Sequence, residues 1–358
     1  MRPRRWWIGV LGAGLISAIT GCGTEAPSVD PGQVLRDPRR HLVEIVAGPS
    51  ADPRNNFTLV MSGRVTASGK HVVLVDMRAP YVRVYRRSGQ LRSAFLKDGR
   101  GPLEARSVRA VAVAGDSLIL VADVDGRVRT FDLDGGLRQN LPRFPFGVVS
   151  ATTACPGEWL LYGARFSPGG TSARWLHRLP IGAGPEALTS VFGETVGSAE
   201  PRSAMSSGLI ATPRGAALWH TLGDRPSLVT WRCGASSAAS APLADGVRPP
   251  PGATEVRGAM VTTVGPGTRM RGGLAAARGR LWKTELVTAG TKALEYSEIT
   301  AADQHVGRAA RLSGYVVLLD SRPGVGVLVQ VYEGDEQRVL LLSERDFLAL
   351  AQERTDRP

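Results

Sequence analysis

The sequence predicts an all-β chain, a six-bladed β-propeller behind an export leader, and three observations lead there. A strand unit, Val72–Asp76 followed by Val82–Gly89, returns 46 residues later as Leu118–Asp123 and Val128–Gly135. Glycine turns at Ser88-Gly89, Asp125-Gly126 and Asp134-Gly135 close the hairpins, because glycine takes the positive φ that tight turns need. An early strand, His41–Val46, has no neighbour in sequence to pair with. A fixed period of this size carrying β alternation marks a propeller blade, since one four-stranded sheet cannot cover both its faces until neighbours stack on it.

The chain opens with Arg2, Arg4 and Arg5, an apolar run from Trp6 to Thr20, and Ile19-Thr20-Gly21-Cys22. A membrane-spanning helix needs about 20 apolar residues, so the run reads as a cleaved export signal over residues 1–21. Its last four residues resemble the lipobox of bacterial lipoproteins, which implies acylation of Cys22 and anchoring in the cell envelope. Gly23 stands where some bacteria place an inner-membrane retention Asp, which points to the outer membrane. The formal net charge of +12 drops to +9 once the three leader arginines leave. No basic run longer than two follows, so no stripe tracks phosphates and nucleic acid is not an expected partner. Cys155 and Cys233 are expected as buried free thiols, one ending an inner strand and the other a third strand, at radii too different for a bond.

Residues 22–40, with Pro27, Pro31 and Pro38 and no periodicity, read as a tether. The propeller is expected over 41–343. Blade one uses Phe57–Met61, Val72–Asp76, Tyr81–Arg86 and Leu91–Phe95; blade two runs from Ser107 to Leu141. Blade three uses Val148–Ala154, Trp159–Tyr162 and Trp175–Leu179, and blade four Gly208–Ala211, Ala217–His220 and Leu228–Trp231. A Pro/Gly-rich insertion, Ala241–Gly252, precedes blade five at Gly272–Ala277, Leu281–Leu286 and Ala293–Ile299. Blade six repeats the type with Tyr315–Asp320 and Val327–Tyr332, and His41–Val46 is expected to close the ring on its outer edge, removing two exposed edges at once. Ser343-x-x-Asp346 caps a short helix in the tail, 344–358.

The loop Phe95–Glu104 with its Gly-x-Gly-Pro-x-Glu core, followed by Val111-Ala-Val, Leu118–Asp123, Val128–Phe131 and Asp134-Gly135, resembles the six-bladed propellers of bacterial envelope proteins, relatives of the NHL-repeat family. Similarity is good over 57–141, recognisable at 280–333 and weak from 165 to 270. The resemblance implies architecture more than activity, its members being mostly binding or scaffold proteins; the chain is expected to be a monomer and not an enzyme.

Asp76, Asp123 and Asp320 each read as the end of a second strand, so their loops are expected on one face with Arg78, Arg127 and Arg322, beside the loop holding Arg100. Carboxylates alternating with guanidinium groups there would hold a polar ligand through bidentate contacts; the plainer alternative is that each Asp anchors its own turn. The Asp-x-Asp-Gly runs at 123–126 and 132–135 stop after two carboxylates, short of the 6–8 oxygens of a calcium site. The histidines form no zinc pattern, and neither Gly-x-Ser-x-Gly nor Ser-x-x-Lys occurs, so no metal, cofactor or catalytic residue is expected. Trp159, Trp219 and Trp282 read as packing between blades. The expected function is an envelope binding protein or scaffold, its partner a protein or small polar ligand; the alternative is a calcium-dependent hydrolase or lactonase working in the channel.

Overall fold

The computed structural model describes residues 31–47, 57–196, 208–222, 225–243, 269–288, 294–302, 310–313, 315–333 and 336–351. The leader, Cys22 and most of the insertion after Pro242 lie outside the described residues. Helix α1 (Pro31–Arg36) leads into strand β1 (His41–Ala47). Blade one follows with β2 (Val60–Val65), β3 (His71–Asp76), β4 (Val82–Arg86) and β5 (Leu91–Phe95). Two short strands, β6 (Lys97–Asp98) and β7 (Glu104–Ala105), pair in parallel within the next loop. Blade two is β8 (Val108–Ala114), β9 (Leu118–Asp123), β10 (Val128–Asp132) and β11 (Leu137–Leu141). Blade three is β12 (Ser150–Thr152), β13 (Glu158–Phe166), β14 (Ser172–Pro180) and β15 (Thr189–Thr195). Blade four is β16 (Leu209–Thr212), β17 (Gly215–Leu222), β18 (Arg225–Arg232) and β19 (Ala239–Pro242). Blade five is β20 (Arg269–Ala277), β21 (Arg280–Thr288), β22 (Leu294–Ala301) and β23 (Ala310–Ser313). The last blade is β24 (Tyr315–Arg322), β25 (Gly326–Glu333) and β26 (Glu336–Leu342), completed by β1 and followed by helix α2 (Glu344–Ala351).

Each of the six four-stranded sheets runs from inner to outer strand in chain order, except that the last takes β1 as its outer strand. The inner strands β2, β8, β12, β16, β20 and β24 touch in turn, and β24 touches β2, so the ring is closed. His41 pairs with Leu342 and Ala47 with Gln337, which ties the two ends of the folded chain together as expected.

The blades cohere because apolar faces meet at the seams. Val73, Val82 and Val84 of blade one meet Val111, Ile119, Val121 and Phe131 of blade two, and each other seam has its own buried cluster. Trp159 and Trp219 are buried in two of these seams, and Trp282 lies edge-on to Phe347, so the tryptophans serve packing.

Three expectations need correction. Residues 31–36 are helical and packed, not tether: Val34 and Leu35 are buried against Phe347 and Leu350 of α2, and His41 Nε2 bonds the Val34 carbonyl at 3.0 Å. Two apolar side chains on one short turn were enough to dock it, so Pro31–Arg36 is part of the folded head. Cys155 and Cys233 form a disulfide with Cα atoms 5.8 Å apart. Both lie beyond their strand ends, in loops that meet over the seam of blades three and four, so strand radius does not govern their separation. The first strand of blade one starts at Val60 rather than Phe57, because the amides of Thr58 and Leu59 turn to the Asp76 carboxylate instead of a ladder.

Candidate functional site

Two faces of the disc are defined by the inner strands: the upper face, where they begin, and the lower face, where they end. Asp76 pairs with Val60 at the start of β2, and Asp123 with Val108 at the start of β8, so both lie on the upper face. Asp320 instead accepts the amide of Val65, the last residue of β2, at 2.9 Å. A six-residue strand spans about 17 Å, so Asp320 lies across the disc from Asp76. Arg322 follows it to the lower face, where its Nη1 donates to the Thr153 carbonyl at 3.4 Å. The expected single cluster is therefore split. Its cause is the ring closure: β1 supplies the outer strand, so Tyr315–Asp320 is an inner strand although its sequence matches the second strand of blade one. Alternation followed by Asp-x-Arg marks a buried strand and its turn, but carries no information about radius.

The upper-face carboxylates are occupied internally. Asp76 accepts the amides of Thr58 at 3.1 Å, Leu59 at 3.2 Å and Arg78 at 3.3 Å, and pairs with Arg83 at 3.3 Å. Asp123 accepts the amides of Asp125 and Arg127, both at 3.0 Å, and pairs with the Arg127 and Arg129 side chains at 2.8 and 3.0 Å. Burial pulls the Arg129 guanidinium below its ordinary pKa, with Arg127 adding to the effect and Asp123 opposing it. Both aspartates anchor turns, the plainer of the two readings of the sequence.

The loop between blades one and two is built the same way. Glu104 takes the amides of Arg100 and Gly101 at 2.9 and 2.8 Å. Arg127 Nη1 donates to the Arg100 carbonyl, and Arg129 Nη1 to those of Pro102 and Glu104, each at 2.8 Å. Gly99 has φ of 143°, and a Cβ there would overlap the Glu104 carboxylate. The Gly-x-Gly-Pro-x-Glu pattern is thus legible as a self-bonded loop whose polar backbone turns inward. What it presents outward is the exposed side chains of Arg100 and Leu103.

Sequence reasoning missed two features of this face. At Met61 and Arg109 the ladders skip a residue, Val60 to Ser62 and Val108 to Ala110. Each skipped residue is a bulge that re-aims its side chain, and both are exposed at the rim. Met77 bonds back to Leu59 and Val124 to Ser107, which sets two more exposed apolar side chains beside them. An irregular pair of ladder positions gives no signal in composition or periodicity.

The axis itself is filled by Arg64 from β2. Its guanidinium donates to the carbonyls of Ala151 at 2.8 Å, Leu319 at 3.1 Å and Leu209 at 3.3 Å, joining blades one, three, four and six. Burial lowers the Arg64 pKa and raises that of Asp320, while each charge partly offsets the other. The only sequence signal is a charge inside an otherwise small and apolar strand, Gly63-Arg64-Val65.

No protein-family model and no curated protein matches the chain. Solved structures that match include the β-propeller domain of Cps50 (Swd1) from Myceliophteria thermophila, at 12% identity and a TM-score of 0.44, covering 79% of this chain and 96% of that one. The structure of U3-55K matches at 12% identity and a TM-score of 0.48, covering 82% and 83%. By its own sheet order and closed ring of inner strands the chain is a six-bladed β-propeller, and no family is assigned to it.

Proposed function

We propose that this chain is an exported, lipid-anchored binding protein of the cell envelope, related to the NHL-like envelope propellers. It works without catalysis or cofactor, and holds its partner on the upper face of blades one and two. The observation that carries the reading is the segregation of side chains there. Six large apolar side chains are exposed among the described residues, and Met61, Met77, Leu103 and Val124 all fall on this one sector. Arg78, Arg100, Arg106 and Arg109 are exposed among them. Arginine and methionine are enriched at protein interfaces, where isolated surface apolar groups need no explanation but clustered ones do.

The disulfide supports export, because such bonds persist in oxidising compartments. Arg64 speaks against the calcium hydrolase, since its guanidinium already takes the axial carbonyls of blades three, four and six. Acylation of Cys22 is tested by mass spectrometry of the mature amino terminus; an unmodified cysteine there removes the anchor. Binding is tested by affinity capture from envelope extract with wild type, an Arg78→Glu/Arg100→Glu variant, and Arg322→Glu as the lower-face control. Capture lost only in the upper-face variant is the expected result, and equal capture by all three would refute the site.

A further inference from the structure

We infer that the upper face receives an acidic, extended polypeptide segment with apolar side chains at intervals, an inference that rests on the upper-face reading above and deepens it. The argument is one of charge left over. The carboxylates of this rim are already matched: Asp76 by Arg83, Asp123 by Arg127 and Arg129, and Glu104 by the amides of its own loop. Asp125 stands beside Arg127 at 3.7 Å, and exposed Asp98 accepts the Tyr81 hydroxyl at 3.2 Å. Arg78, Arg100, Arg106 and Arg109 are exposed and stand in no ion pair among the described residues. They are interleaved with Met61, Met77, Leu103 and Val124, on backbone pinned by the Arg127 and Arg129 hydrogen bonds. Arginine rather than lysine suits carboxylate, which its planar fork grips with two parallel bonds. A rim whose arginines alternate with apolar groups fits an extended chain that shows acidic and apolar side chains in turn along one face, at every second residue, not a uniformly charged surface.

The fold also separates this face from the anchor. Helices α1 and α2 sit on the lower face, where Glu344 accepts the amides of Gly324 and Arg278 at the ends of the hairpins there. Nine residues from Cys22 to Pro31 reach at most about 30 Å, so the lower face is the one leashed beside the bilayer. The arginines lie a strand length farther out, and attraction to a charged surface decays within about 8 Å at physiological salt. Anionic headgroups of the anchoring membrane are therefore the wrong occupant.

The test uses the mature acylated chain in detergent and three labelled 12-residue peptides, repeats of Glu-Glu-Val-Val, of Lys-Lys-Val-Val and of Glu-Glu-Ser-Ser, which when extended show both residue types on each face. Glycerophosphoglycerol, the soluble headgroup of phosphatidylglycerol, is the fourth probe. The Glu/Val peptide should bind at least tenfold tighter than the other two, weaken steeply with salt, and lose at least tenfold in Arg100→Glu/Arg109→Glu while Arg322→Glu matches wild type. Equal binding of the Lys/Val or Glu/Ser peptide, or no binding of Glu/Val, overturns the inference. Headgroup binding that needs Arg100 and Arg109, without peptide binding, also overturns it but leaves the upper-face reading standing. Peptide binding that survives the charge reversal sinks both. Circular dichroism of the variant guards against loss of fold.

Discussion

The seam between blades one and two and the seam between blades three and four join the same kind of sheet by different means. The first is aliphatic, with valines and Ile119 interleaved around Phe131. The second is aromatic, polar and covalent. Tyr162, Trp175 and Trp231 fill it, the Tyr162 hydroxyl and His220 Nδ1 share a hydrogen bond of 2.8 Å, His220 Nε2 bonds Glu194, and the Cys155–Cys233 bond crosses below. An aliphatic seam tolerates small changes because dispersion is spread over many contacts. A polar seam concentrates its strength in a few groups whose partners must all be present.

The largest way to break this contrast is to cut the bond. Cys155→Ala/Cys233→Ala should lower stability by up to about 4.5 kcal/mol, the chain-entropy figure for a loop of this length. Urea denaturation of oxidised, reduced and variant protein measures it, and an unchanged midpoint would mean that the seam holds without the crosslink. Next comes acid. Burial presses the His177 pKa down to about 4, while its ring stacks on Phe146 and bonds Ser190 and the Gly163 carbonyl. The unfolded chain takes up this proton first, near pH 6.5, so the contribution is complete above that pH and is lost as pH falls through 4. The loss should amount to about 3 kcal/mol, and His177→Gln should flatten the stability curve over this window. His220→Phe removes the group between Tyr162 and Glu194 and should cost about 1–3 kcal/mol. Least of all, Ile119→Val in the aliphatic seam should cost about 1 kcal/mol; a larger loss there than for His220→Phe, measured in the same titration, would reverse the contrast.

The same contrast explains what the sequence revealed. Blades one and two were legible because Val72–Asp76 and Leu118–Asp123 are apolar throughout and end in turn signals. Blade five buries Lys283, Glu285 and Glu298, so its alternation hides behind charged residues that are inside. The closing strand His41–Val46 was legible because an apolar strand without a neighbour must find an edge. The site was less so. Asp76 and Asp123 were found as turn ends, yet the resemblance of Tyr315–Asp320 to His71–Asp76 put Asp320 and Arg322 on the wrong face. Arg64, Met61 and Arg109 escaped because a bulge and an axial position exist only in three dimensions. The disulfide escaped because loops, not strands, decide where its sulfurs meet.

The pairing of His41 with Leu342 also sets an order of events during biosynthesis. The strand made first must wait for one made some 300 residues later, and until then both of their edges stay raw. On the export route proposed above, the chain would arrive through a translocon in just that state, threaded and incomplete. Closure becomes the last act of assembly, and any product that stops short of β26 is left with an open circle that proteases can find.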